Sequence, residues 1–182
     1  MKNFLIIGNP IGHSLSPMLH NYWLKKYGIE GKYSLLEITE KEIKGVIDKI
    51  RTKEIKGINV TIPFKQKVIP YIDKLINDAK ITNSVNTIYL SDGEVIGDNT
   101  DVYGIQSGYL KKIVRNNINT KTLIIGAGGV TPSVIVSLNK SNLINITVVN
   151  RTHDKTIFLK KNFPNIEILK WNEIEKNTQN FD

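Results

Sequence analysis

The sequence predicts an α/β chain in two parts: a mostly parallel α/β first domain over residues 1–100 and a shorter, incomplete α/β unit over residues 121–182. Three observations predict it. Apolar runs of strand length alternate with segments of helical periodicity, the pattern of a parallel sheet with covering helices. A polar stretch near 116–120 separates two such series. A glycine cluster, Gly126-Ala127-Gly128-Gly129, follows an apolar run and opens a helical pattern.

The elements follow in order. Lys2–Gly8 reads as a buried strand that meets Gly8-Asn9-Pro10, so it is neither a signal peptide nor a membrane span. Ser16 is expected to N-cap a helix with Pro17 at its first position. Met18, Leu19, Tyr22, Trp23 and Lys26 keep helical spacing until Gly28. Tyr33–Ile38 is a second strand. Thr39 and Glu42 form a capping box before a helix carrying Ile43, Val46, Ile47 and Ile50. In Gly57–Thr61, Ile58 and Val60 alternate with Asn59 and Thr61, the period of a half-buried strand. Pro63 should end that strand and start a helix, giving a sharp corner that displays Thr61 and Lys65 beside a buried Phe64. Helical segments are expected to about Lys80, interrupted near Pro70. Val85–Leu90 and Glu94–Gly97 form a hairpin around Ser91-Asp92-Gly93.

Asp98-Asn99-Thr100-Asp101 opens a helix to about Arg115, taken with the polar residues Asn116–Thr120 as a connecting helix and linker over 101–120. The second part has strands Lys121–Ile125, Ile144–Val149 and Ile166–Leu169, with helices through about Leu138 and over His153–Asn162.

Composition narrows the function. Of 182 residues, 40% are hydrophobic and 23% charged, an ordinary soluble profile. There is no cysteine, which excludes disulfides and thiolate chemistry and fits a cytoplasmic protein. The net charge of +8 attracts anions, including phosphorylated cofactors. Its basic residues are spread over many segments without an aromatic-interleaved stripe, which argues against a nucleic-acid footprint. His13, His20 and His153 lack companions at ligand spacing, so no metal site is expected. The expected partners are a small-molecule substrate, neither nucleic acid nor membrane, and, as an option, a second copy of the chain.

Four constellations could carry chemistry. Gly126, Ala127, Gly128, Gly129 and Val130 lie between a strand and a helix, the context of a dinucleotide-binding fingerprint. Val130-Thr131-Pro132 stand where its third glycine would fall, and the alternative is a plain strand–helix turn. The second unit is therefore read as an incomplete Rossmann-like domain. At the end of its second strand stand Asn150, Arg151 and Thr152, with Lys155 nearby and no carboxylate before Asp154. A carboxylate there would bind a ribose 2′-hydroxyl, whereas arginine suits a 2′-phosphate, so NADP is expected over NAD. The alternative is a solvated turn arginine. The third constellation is Lys65 with Asp101. Hydride transfer to a ketone needs a positioned acid to protonate the oxygen, and a partly shielded lysine beside a carboxylate can serve. Asp101 is otherwise simply a helix cap. The fourth is Ser14, Ser16, Thr61 and Asn86, short polar groups that suit a small polyhydroxylated acid. Their plainer readings are a turn residue, a cap and strand-edge polar groups.

Six motifs resemble the shikimate dehydrogenase family in its own order: Gly8–Pro17, Asn59–Lys65, Val85–Thr87, Gly97–Asp101, Gly126–Gly129 and Asn150–Thr152. The resemblance implies reversible NADP-dependent reduction of 3-dehydroshikimate to shikimate, in chorismate and aromatic amino-acid biosynthesis. It implies Lys65 as acid/base, Asp101 as its partner and a substrate ligand, and Ser14, Ser16, Thr61 and Asn86 as substrate-binding groups. It puts the pyrophosphate on residues 126–130, the 2′-phosphate on Asn150 to Lys155, and Asn77 against the cofactor. The paired serines favour shikimate over quinate. Against the family's pattern the chain stops after about one dinucleotide-binding half, so a C-terminal truncation is expected. The alternatives are an NAD-dependent quinate/shikimate dehydrogenase, or a truncated non-catalytic fragment that binds shikimate or nucleic acid.

Overall fold

The computed structural model describes residues 1–113 and 119–181, and the chain divides into two compact units, Met1–Thr100 and Asp101–Asp182. The first contains β1 (Lys2–Gly8), α1 (Ser16–Lys26), β2 (Gly31–Glu37), α2 (Ile43–Arg51), β3 (Gly57–Val60), β4 (Lys74–Leu75), α3 (Asn77–Thr82), β5 (Thr87–Ser91) and β6 (Glu94–Asp98). They form one six-stranded sheet in the order β2-β1-β3-β5-β6-β4. All pairs are parallel except those of β5, which runs antiparallel to β3 and β6.

Both faces of β1 are covered, as its continuous apolar run requires. Ile7 joins the larger core under α2, with Ile43, Ile47, Ile50, Ile58 and Ile88. Ile6 faces the other side, with Ile11, Tyr33 and Leu24. The α2 pattern is realised as read: Thr39 and Glu42 close a capping box, and Ile43, Val46, Ile47 and Ile50 are buried. By contrast α1 buries no residue fully, and Met18, Leu19, Tyr22 and Trp23 are exposed. Its anchor is polar. The Asn21 side chain donates to Tyr33 O (2.7 Å) and accepts from Tyr33 N–H (2.9 Å).

Three local expectations are corrected. Pro63 does not start an α-helix; it follows a cis peptide in a run of turns through Val68. A helix would commit the Lys65 carbonyl to a residue four ahead. That carbonyl instead accepts from Val85 N–H (2.8 Å), which folds the segment against the start of β5. The helical segments expected to about Lys80 reduce to a 3-10 turn (Ile69–Tyr71) and α3, with the unexpected β4 between them, because Asp73 and Ile76 donate their N–H groups to Val95 and Gly97 of β6. Leu15, not Ser16, is the N-cap of α1; Ser16 is the first helical residue, and its N–H donates to Ser14 Oγ (3.3 Å). The hairpin turns at Asp92-Gly93, both at positive φ (51° and 82°), as a tight two-residue connection demands.

One ion pair ties this unit together. Arg51 forks onto Asp73 (2.6 and 2.8 Å), whose carboxylate also accepts from Val95 N–H (2.8 Å). These bonds hold the Asp73 carboxyl down to about 2. A carboxyl lowered on folding stabilises the native state above its usual range, and the gain is lost as pH falls through the folded value. Asp73→Asn is therefore expected to lower Tm at pH 7, with the difference from the parent fading between about pH 4 and pH 2; thermal melts across pH check it.

The second unit opens with α4 (Asp101–Ile105), a wide π turn over Gln106–Leu110 and α5 (Lys111–Ile113). The remainder of the expected helix to Arg115, and the linker residues through 118, lie outside the described residues. β7 (Lys121–Ile125), α6 (Thr131–Lys140), β8 (Asn145–Val149), α7 (His153–Asn162), β9 (Glu167–Leu169) and α8 (Ile174–Asn177) follow. The three strands are parallel in the order β7-β8-β9, one half of a doubly wound sheet. Leu110, Ile135, Leu138, Ile146, Val148 and Leu159 fill the core. The helix beginning at Asp101 packs here. The buried Ser137 hydroxyl lies 3.1 Å from the Val102 carbonyl and 2.6 Å from that of Ser133. Among the described residues no helix is long and apolar enough to cross a membrane.

Candidate functional site

In the first sheet β1 and β3 are parallel neighbours, and the chain leaves β1 for β2 on one side and returns as β3 on the other. Loops beyond the carboxyl ends of strands at such a reversal part and leave a crevice, the usual place for a ligand in an open α/β sheet. The expected substrate residues gather at this end. Ser14 and Ser16 lie in the segment leaving β1, Thr61 and Lys65 in the one leaving β3, and Asn86 just before β5. All five are half-buried.

Short bonds lock these segments together. Thr61 N–H donates to Ile7 O (3.0 Å) and Asn9 N–H to Ile62 O (3.0 Å), stitching the two loops. The Ile11 N–H donates to Glu37 Oε2 (3.0 Å) and the Asn9 side chain to Ile38 O (3.0 Å), tying the first loop to β2. The loops pass close together at Gly8. A Cβ there would meet Thr61 Cγ2 at 2.6 Å and the Ile62 carbonyl at 3.0 Å. Gly8→Ala should force the loops apart and destabilise the unit by about 1–3 kcal/mol, read as a lower denaturation midpoint; an unchanged midpoint would mean the loops yield freely.

Asn86 is held on several sides. Its backbone carbonyl accepts from Val60 N–H (2.9 Å), and its N–H donates to Asp98 O (3.0 Å). Its side-chain oxygen accepts from Thr100 N–H (3.0 Å), and its amide donates to Thr100 Oγ1 (3.0 Å). Sequence reasoning passed over Thr100 and Asp98 as supports, although both stand in the Gly97–Asp101 motif. Asn77 begins α3 at a positive φ of 46°, and its amide faces the Asp98 carboxylate (3.3 Å). Asp101 is the first residue of α4, half-buried, in the second unit.

A separate concavity of about 350 Å³ opens on the α1 face of the first sheet, lined by His20, Trp23, Tyr27, Tyr33 and Ile58 among others. It includes none of Ser14, Ser16, Thr61, Lys65 or Asn86.

In the second unit the glycine turn lies at the carboxyl ends of β7 and β8. Gly126 takes φ +124°, a conformation open to glycine and costly for other residues. Gly126 N–H donates to Val149 O (2.7 Å), Ala127 N–H to Asn150 Oδ1 (3.2 Å), and the Asn150 amide to Thr152 O (2.9 Å). Asn150 thus joins the glycine turn to the turn after β8. Thr131 occupies the place of the missing third glycine. It is buried, its hydroxyl donates to Gly126 O (3.2 Å), and it accepts from Gly128 N–H (3.0 Å). This latch was not foreseen, because threonine opening a helix reads only as a cap. A Cβ on Gly126 or Gly128 would meet no atom of the described residues beyond its chain neighbours within 4 Å. Gly129 and Val130 complete the approach to α6. Arg151, Thr152 and Lys155 are exposed around the start of α7.

A parallel sheet whose first turn carries glycines at a helix N-terminus belongs to the dinucleotide-binding α/β proteins. Residues 6–88 match the family described as shikimate dehydrogenase substrate binding domain, and residues 109–182 match that of shikimate / quinate 5-dehydrogenase. The NADP(+) shikimate dehydrogenase of Pelagibacter ubique is 51% identical over 172 residues, covering 94% of this chain and 64% of that protein. That of Bacillus subtilis is 32% identical, covering 100% of this chain and 66% of that protein. The crystal structure of shikimate dehydrogenase from Aquifex aeolicus superposes with a TM-score of 0.88 at 34% identity, over 100% of this chain and 66% of that one. The Thermus thermophilus enzyme in complex with NADP(H) and shikimate gives 0.83 at 27%, over 97% and 66%. The chain belongs to the shikimate dehydrogenase family. It spans less than two thirds of the Pelagibacter ubique protein, 64%, and 54–66% of other curated relatives.

Proposed function

We propose that the chain serves as an NADP-dependent shikimate dehydrogenase, catalysing the reversible reduction of 3-dehydroshikimate to shikimate. The observation that carries this reading is the gathering of Ser14, Ser16, Thr61, Lys65 and Asn86 at the carboxyl ends of β1 and β3. Short hydroxyls and an amide fit a small polyhydroxylated acid. NADPH supplies the hydride for the carbonyl carbon. Lys65 delivers the proton to the carbonyl oxygen and retrieves it in the reverse direction. Asp101 is its carboxylate partner, and both also hold substrate. Relatives support the choice of ligands: one neighbour is a complex with NADP(H) and shikimate.

The glycine turn supports the cofactor. The pyrophosphate is received by the glycine turn at the start of α6, with Gly126, Ala127, Gly128, Gly129 and Val130. Asn150, Arg151, Thr152 and Lys155 form the 2′-phosphate pocket, and Asn77 contacts the cofactor. The protein works in the cytoplasm, with a homodimer as one option for its assembly. A cofactor-reduction assay tests the reading: shikimate should be oxidised in preference to quinate, and NADP reduced in preference to NAD. No reduced nicotinamide with any of these pairs, from this chain or from a version extended to its relatives' length, would remove the enzymatic assignment.

A further inference from the structure

The polar residues of β2, β3 and β5 on the α1 face are not scattered. Asn59 stands directly opposite Thr87 in the ladder, and Tyr33, which is level with Phe4 and Gly57, reaches Asn59 diagonally across β1. The Tyr33 hydroxyl donates to Asn59 Oδ1 (2.7 Å). The Asn59 amide donates to Asn86 O (3.1 Å) and to Thr87 Oγ1 (3.2 Å). The Thr87 hydroxyl donates to Asn86 Oδ1 (2.9 Å). We propose that Tyr33, Asn59 and Thr87 are positioning residues, a relay that sets the side-chain orientation of Asn86 and thereby the affinity for substrate. The inference rests on the reading of Asn86 as a substrate ligand.

The direction of every bond is forced. A backbone carbonyl only accepts, so the edge of Asn59 on Asn86 O must be its NH₂. The other edge is then a carbonyl, and Tyr33 must donate to it. Burial keeps the Tyr33 phenol protonated by disfavouring its charged form, and His20 stacked on its ring (centroids 4.3 Å apart) holds it in place. With Asn59 donating to its oxygen, Thr87 turns its own proton to Asn86 Oδ1. The Thr100 N–H only donates, and it meets that same oxygen. The Asn86 amide therefore has one orientation, enforced from the sheet and from the loop together. A sheet face that needed only to pack would carry apolar residues here, since polar groups inside a fold must be fully satisfied to be tolerated.

The test uses side-chain amide signals and ligand affinity. Tyr33→Phe and Thr87→Val should each shift the Asn86 side-chain NH₂ resonances, and Thr87→Ser should leave them in place. Calorimetric titration with shikimate should show about tenfold weaker binding for Tyr33→Phe and Thr87→Val, the size expected for one lost hydrogen bond, with parental affinity restored in Thr87→Ser and NADP affinity unchanged throughout. A purely structural role would lower Tm without separating the two ligands. Unmoved Asn86 signals in Tyr33→Phe and Thr87→Val would overturn the relay, as would unchanged shikimate affinity in both where Asn86→Ala abolishes binding. If Asn86→Ala binds shikimate normally, the reading of Asn86 as a ligand fails instead, and the resonances alone decide whether the relay orients it.

Discussion

In the full-length enzyme, Lys65→Ala is expected to lower kcat for shikimate oxidation by about 10²–10⁴-fold, the range a positioned proton donor contributes. NADP affinity should stay about the same, because the glycine turn and the 150–155 segment belong to the other unit. The substitution should also leave the fold intact. The Lys65 contact that shapes the 62–68 turn is its backbone carbonyl on Val85 N–H, which alanine keeps. Steady-state kinetics paired with cofactor titration separate the outcomes. A parental kcat would strip Lys65 of its role, whereas a raised KM alone would leave it only a ligand.

Arg151→Ala carries the second large effect. Charge-assisted bonds from a guanidinium to phosphate contribute about 1.5–3 kcal/mol, so NADP affinity should fall by about 10–100-fold while NAD affinity is nearly unchanged. Arg151 is exposed at the turn after β8, so the loss should not be a folding defect. Equal loss for both cofactors would place Arg151 elsewhere than at a 2′-phosphate. A parent that prefers NAD would undo the pocket assignment altogether.

The parts of the fold legible in the sequence were those whose local signals agreed with the tertiary structure. β1 and β7 are bounded as their apolar runs suggested, α7 spans His153–Asn162 as read, and the Thr39–Glu42 box caps the segment leading into α2. The corner after β3 stands as expected, with Phe64 buried beside half-buried Thr61 and Lys65, but no helix starts at Pro63, because a distant donor, Val85 N–H, takes the Lys65 carbonyl. β4 has two residues, too few for any period to show, and exists because β6 offers Val95 and Gly97 carbonyls. In the site, residue types on loops were readable, since Ser14, Thr61, Lys65 and Asn86 sit at strand ends. Their supports were not. Tyr33, Asn59 and Thr87 come from three strands far apart in sequence and meet only through sheet order.

Calorimetric titration of this chain with shikimate tests the central claim most directly: that the carboxyl ends of β1 and β3 hold a polyhydroxylated acid. A saturable one-to-one signal that Asn86→Ala diminishes is expected. No heat with shikimate, alongside tight and salt-sensitive binding of single-stranded DNA by the same sample, would contradict it and make the chain a basic binding module instead.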